Sequence, residues 1–217
     1  VFGNVDIFFF DEVQNLSDWE LLVNKLHRSG YNVFITGSNA RLLSRELADR
    51  LTGRHIDIEV FPFSFREFLI AKEFREDIKI TKGQGIVKNL LREYINIGGF
   101  PEIIVENENP KIYLKNLFND IIEKDIIRRF RIKNEVTFRE IAYFLLSNIG
   151  NYTTYNSIKN SFKLGSDHTA KNYLSYLQAS YLFIFLENFA YSLKKRFSYP
   201  KKIYCIDTGI ITSLAFR

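Results

Sequence analysis

Ile7-Phe8-Phe9-Phe10-Asp11-Glu12 is an apolar run of strand length that ends in two adjacent carboxylates, with Val5 just ahead of it. The run is too continuous for a half-exposed hairpin and suits a central parallel strand covered on both faces. Downstream, Ser17-Asp18-Trp19-Glu20 reads as a capping box, and Trp19, Leu22, Val23 and Leu26 repeat at helical spacing until Gly30 closes the segment. Tyr31-Asn32-Val33-Phe34-Ile35-Thr36 follows as a second strand. Strand, helix and strand within about 30 residues make a right-handed parallel crossover.

Beyond Gly37, the pattern predicts a helix over 40–51 and a strand over 56–61, in which Ile56, Ile58 and Val60 alternate with Asp57 and Glu59. Ser64-Phe65-Arg66-Glu67 opens a helix to about residue 74, and another runs over 86–97 before Gly98-Gly99-Phe100-Pro101. From Asn109-Pro110, a cap followed by proline at the first helical position, a long helix reaches about residue 130. Helices over 138–148, 155–162 and 166–179 follow, then two β-rich stretches over 181–188 and 202–206 flanking Lys194-Lys195-Arg196. Three helices and a two-strand ribbon with a basic tip describe a winged helix. The expected fold is therefore α/β, a parallel sheet with flanking helices, then a helical region and a winged helix-turn-helix domain; taken with the two carboxylates that end the first strand, the sheet is expected to be part of a P-loop NTPase. The expected boundaries are 1–105, a linking helix over 106–135, and 136–217.

Composition bounds the function. The net charge of +5 conceals 13 Lys/Arg against 17 Asp/Glu in residues 1–109, and 17 against 8 in 110–217. A basic half suits an anionic partner, although solvated basic faces are common. One cysteine, Cys205, excludes a disulfide framework and a Cys-rich zinc site and fits a reducing, cytoplasmic setting. The apolar runs fall far short of the ~20 residues that span a bilayer, so no membrane role is expected. His27, His55 and His168 show no ligand spacing. Val1-Phe2-Gly3 opens just before a buried strand, which suggests a segment upstream.

Asp11 and Glu12 stand where a buried strand reaches its carboxyl end, the place where open parallel α/β sheets bind ligands. In a P-loop NTPase the first carboxylate holds magnesium near the phosphates, and the second orients and deprotonates the attacking water. An acidic turn after a core strand would give the same letters. Thr36, Ser38 and Asn39 arrive beside them at the end of the second strand, where polar groups touch a γ-phosphate or water. Each could equally cap the next helix. Arg50 and Arg54 could reach a neighbouring subunit's nucleotide and steady charge on the transferred phosphoryl, or form surface ion pairs. Lys82-Gly83-Gln84-Gly85 lacks both the preceding strand and the Gly-Lys-Ser/Thr ending of a phosphate cradle.

These residues resemble the archaeal and bacterial AAA-type ATPases that join an ATPase core to a winged helix and often to a restriction-nuclease-like C-terminal domain. Phe9-Phe10-Asp11-Glu12-Val13-Gln14 resembles the Walker B strand of that family, and Ile35-Thr36-Gly37-Ser38-Asn39 its sensor 1 strand. Leu51-Thr52-Gly53-Arg54, Pro62-Phe63-Ser64-Phe65-Arg66-Glu67-Phe68, Gly98-Gly99-Phe100-Pro101-Glu102 and Tyr204-Cys205-Ile206-Asp207-Thr208-Gly209 resemble later segments in the same order. The resemblance implies ATP and Mg2+ as cofactors and a homo-oligomer as a possible assembly. It also implies an internal piece that lacks the Walker A loop and the nuclease-like domain, and so has no ATP turnover by itself. The alternative is a nucleic-acid-binding winged helix without ATPase activity. There His168, Lys171 and Asn172 would enter a groove of double-stranded DNA, while Lys194, Lys195 and Arg196 hold phosphates. An interdomain or oligomer contact is the competing role for that helix.

Overall fold

The computed structural model describes residues 6–13, 16–37, 55–192 and 199–215. The expected helix over 40–51 lies outside the described residues, as do Ser38, Asn39, Arg50, Arg54, Lys194, Lys195 and Arg196. The chain divides into two compact units, residues 1–60 and 61–217.

In the first unit, β1 (Ile7–Phe10) and β2 (Asn32–Ile35) run parallel, from Ile7 opposite Asn32 to Phe10 opposite Ile35. A parallel pair requires a crossover, and α1 (Trp19–Arg28) supplies it. Trp19 and Val23, about one helical turn apart, bury with Val13 against Phe10, Val33 and Ile35. The helix ends as expected, with Gly30 at φ 88° and its N–H donating to the His27 carbonyl at 3.0 Å. It begins differently. Asp18 is the N-cap at φ 55° and no side chain caps the first turn, so the Ser17–Glu20 box does not form. An extended N-cap aims its side chain at the second and third amides, and a left-handed one does not.

β1 is covered on one face among the described residues, not on both. Its alternate residues point to opposite sides, and Phe9 and Phe34, 75% and 53% exposed, stack with ring centroids 4.9 Å apart on the open side. Residues 55–60 belong to no ladder among the described residues, so the expected strand over 56–61 is not formed there. Alternation selects a face, but a strand also requires a neighbour to take its backbone hydrogen bonds.

The second unit opens with α2 (Phe65–Ala71), where the expected capping box is present: the Glu67 N–H donates to Ser64 Oγ, and the Ser64 N–H to Glu67 Oε2 at 2.8 Å. The Ser64 N–H, and the Ser64 hydroxyl donating to the same Oε2 at 2.7 Å, favour the ionised carboxylate and lower the Glu67 pKa. α3 (Thr81–Ile97) starts earlier than expected and absorbs Lys82-Gly83-Gln84-Gly85. Gly83 reads as a loop residue but serves close packing, because a Cβ there would lie 2.0 Å from the Asp77 carbonyl oxygen. After α4 (Pro101–Val105), α5 (Pro110–Asp120) is capped by Asn109, whose side chain accepts from Ile112 N at 3.1 Å. It runs on through a π-helical stretch, Ile121–Arg128, toward Phe130.

α6 (Glu135–Ser147), β3 (Tyr152–Thr153), α7 (Tyr155–Ser161), α8 (Asp167–Ala179), β4 (Phe183–Leu186) and β5 (Lys201–Cys205) follow. The strands form an antiparallel sheet in the order β3-β5-β4. The two-residue β3 is too short to carry a periodic signal, so the expected ribbon of two strands is a sheet of three. One core joins these elements, with Phe118, Ile122, Ile126, Phe138, Leu145, Ile158, Leu177, Phe183 and Ile203 all nearly free of solvent.

The closing helix α9 (Thr208–Leu214) packs on α3 and α5. Buried Asp207 makes the joint: its carboxylate accepts from Gly99 N at 2.7 Å and from Gly209 N at 2.8 Å. Phe63 N–H donates to the Gly99 carbonyl at 2.7 Å, and the Tyr94 hydroxyl donates to the Phe63 carbonyl at 2.7 Å. Three of the motif segments therefore meet at one place, where their residues tie backbone to backbone. Burial beside this joint pushes the Cys205 thiol up to about 12. A thiol-specific reagent at pH 8 is expected to label native protein far more slowly than denatured protein; equal rates would contradict the raised thiol pKa.

Candidate functional site

The parallel ladder extends one step past the strands: Thr36 N–H donates to the Phe10 carbonyl at 2.9 Å, and Val13 N–H to the Thr36 carbonyl at 3.2 Å. This fixes Thr36 beside Asp11 and Glu12. Its hydroxyl accepts from Glu12 N at 3.1 Å and donates to Asp11 Oδ1. One side chain from β2 therefore orients both carboxylate-bearing residues of β1, using the donor and an acceptor of a single hydroxyl.

Glu12 has φ 48°, a left-handed conformation uncommon outside glycine. Successive side chains on a strand point apart, so a carboxylate pair at consecutive positions serves one site only where the strand breaks. The turn at Glu12 is that break. Strained backbone of this kind is concentrated at functional sites, where the surrounding structure holds it.

Asp11 and Thr36 are exposed and Glu12 is half-buried, so the strand ends present hard oxygen donors to solvent. Magnesium takes such oxygens, usually one or two carboxylates completed by phosphate and water. The Asp11 carboxylate and Thr36 hydroxyl fit that donor set. No group of three or more His, Cys, Asp or Glu side chains among the described residues could hold a metal by itself.

In the second unit, His168, Lys171 and Asn172 lie one helical turn apart or less on α8, with His168 and Lys171 exposed. The Asn172 amide nitrogen lies 3.3 Å from His168 Nδ1, so the helix holds these two polar groups together. The cluster of Asp207, Gly98 and Gly99 has no local mark in the sequence, because its partners lie more than 100 residues apart. The Asp-Thr-Gly and Gly-Gly-Phe-Pro motifs were the available signal.

Residues 2–69 match the model of the AAA domain family, and the β1-α1-β2 unit with Asp11, Glu12 and Thr36 falls inside that match. The match supports an AAA-type ATPase domain at the N-terminal end. The chain belongs to the family described as Domain of unknown function (DUF8612), whose model matches residues 88–216. It is 36% identical over 220 residues to uncharacterized protein MJ1544 of Methanocaldococcus jannaschii, a span covering 98% of this chain and 49% of that protein. It is 32% identical over 209 residues to an uncharacterized protein of Haemophilus influenzae, covering 94% and 51% respectively. The chain spans about half the length of the curated relatives it matches. No solved structure matches it significantly.

Proposed function

We propose that the first unit is the rear part of an ATP-hydrolysing AAA-type site, completed in the full-length protein by a phosphate-binding loop from outside these 217 residues. The observation that supports this reading is the Asp11–Thr36–Glu12 cluster at the carboxyl ends of two parallel strands, inside the AAA-matched region. Asp11, with the Thr36 hydroxyl, would hold Mg2+, which when bound neutralises charge on the β- and γ-phosphates. Glu12 positions the attacking water and takes its proton. Thr36 keeps the two carboxylates in separate roles by fixing Asp11 through its hydroxyl hydrogen and Glu12 through its backbone. Ser38 and Asn39 meet the γ-phosphate, and Arg50 or Arg54 serves the nucleotide of a neighbouring subunit in a homo-oligomer. The 217 residues alone, without a Gly-Lys-Ser/Thr loop, are inactive. A cytoplasmic setting completes the reading; no helix among the described residues is long and apolar enough to cross a membrane.

Binding of a fluorescent ATP analogue to the full-length protein tests the metal role. Magnesium should tighten binding to the wild type, and Asp11→Asn should remove most of that gain; a gain of equal size in the variant would reject the role of Asp11. Thr36→Val deletes the shared hydroxyl and leaves the Glu12 N–H and Asp11 without it. The expected cost is about 1 kcal/mol in the stability of the first unit, with a larger loss in turnover. Unchanged turnover would show that Thr36 does not organise the site.

A second reading rests on element order in the other unit. Helix, short strand, two helices and two strands with sheet order β3-β5-β4 support reading 136–217 as a winged helix, preceded by the helix that starts at Pro110. We propose that α8 meets double-stranded DNA through His168, Lys171 and Asn172, while Lys194, Lys195 and Arg196 hold phosphates. Duplex affinity should fall steeply with salt and weaken when the three basic residues are reversed. A shallow salt dependence would instead support a protein contact.

A further inference from the structure

The outer face of the three-stranded sheet is the surface whose chemistry neither reading uses. An antiparallel sheet with one face on the core normally turns polar residues to water. Here the inner positions, Thr153, Phe183, Phe185 and Ile203, are buried, and the outer ones are Tyr152, Ile184, Leu186, Lys202 and Tyr204. Pairing sets them in two rows, with Lys202 opposite both Tyr152 and Leu186, and Tyr204 opposite Ile184. Tyr152 is 64% exposed and Leu186 57%, and Lys202 Nζ lies 5.1 Å from the centre of the Tyr152 ring. The chain leaving β4 adds Phe189 and Tyr191, more than three-quarters exposed and edge to face at 5.2 Å.

We propose that this face binds single-stranded nucleic acid, with Tyr152 and Tyr204 stacking on bases and Lys202 meeting the backbone phosphate between them. Charge favours that occupant. Lys202 is the charged residue of the three strands on this face, and the two carboxylates within residues 150–205 are both paired, Asp167 with Lys159 at 3.5 Å and Glu187 with Lys201 at 2.7 Å. A lysine with no competing carboxylate on its face therefore sits among exposed aromatic rings, the combination that binds unpaired strands through stacking and phosphate contacts. Size agrees. Three strands about 4.8 Å apart and two residues of rise give a platform roughly 10 Å by 7 Å between backbone positions. That suits two or three bases.

The test uses the full-length protein and a labelled 15-nucleotide oligothymidylate, followed by fluorescence anisotropy at two salt concentrations. Wild type should bind it, and Tyr152→Ala with Tyr204→Ala should weaken binding at least tenfold with an unchanged circular dichroism spectrum and melting temperature. Lys202→Gln should weaken binding and flatten the salt dependence. His168→Ala with Lys171→Ala should leave oligothymidylate binding intact while affecting duplex, so failure of the α8 reading and failure of this one are distinguishable. Full binding by the tyrosine pair variant would overturn the proposal. So would wild type that ignores the oligonucleotide, or that self-associates in sedimentation through a contact which the tyrosine substitutions abolish.

Discussion

Glu12→Gln in the full-length protein is expected to retain magnesium-dependent ATP binding and to lower turnover by roughly 10²-fold or more, the usual contribution of a positioned general base. The substitution keeps shape and the backbone N–H that reaches Thr36 at 3.1 Å, and it removes the carboxylate's charge together with its ability to take a proton. Binding and hydrolysis should therefore separate, with nucleotide remaining bound in a slow complex. Loss of both together would mean that Glu12 is needed for the strand-end geometry. Loss of neither would assign the base elsewhere.

Gly98→Ala should be the most destabilising single-atom addition in the second unit. Gly98 has φ 82° and ψ −166°, a region open essentially to glycine alone, and a Cβ there would lie 2.0 Å from Asp207 Oδ1. Backbone strain and displacement of a buried carboxylate from two amides add to on the order of 4 kcal/mol, a fall in Tm on the order of 10 °C for a unit of this size. Gly30→Ala is the internal control: its φ is also positive, at 88°, but nothing lies within 4 Å of the added carbon, so only the conformational cost remains. Equal melting shifts for the two variants would reject the joint as the cause.

The same carboxylate carries a pH signature. Burial raises the Asp207 pKa, opposed by the amides of Gly99, Gly209 and Ile210. A folded pKa above the unfolded one, about 3.9, means that the contribution is full below the unfolded value and is lost as pH rises through the folded one. Denaturation midpoints should therefore show a downward component across that acidic window. Asp207→Asn should flatten it while lowering stability, because one amide group replaces an acceptor that faces an N–H. A midpoint profile identical to wild type would remove Asp207 as its source.

Most local signals in the sequence hold where they describe contacts within a few residues. Phe10, at the end of the Ile7–Phe10 run, packs with Trp19 and Val23 of α1, the Ser64–Glu67 box forms, and Asn109-Pro110 starts its helix. The Asp11–Thr36 pairing was also legible, because one crossover helix brings consecutive parallel strands side by side. Three features were not. The Ser17–Glu20 box has the right letters, but Asp18 turns left-handed and the helix starts at Trp19. Gly83 looks like loop punctuation and is a packing residue inside α3. The Asp207 joint depends on partners far apart in sequence, and a single chain carries no local mark of such distant pairs. Ser38, Asn39, Arg50 and Arg54 remain part of the proposal by their place in the sequence and lie outside the described residues.

The most direct test of the central claim is magnesium-dependent ATP hydrolysis by the full-length protein, measured beside Asp11→Asn. The account predicts turnover by the wild type that requires magnesium and falls at least tenfold in the variant. A wild type without turnover, or a variant that hydrolyses ATP as fast as the wild type, would contradict it and leave the strand-end carboxylates as a structural turn.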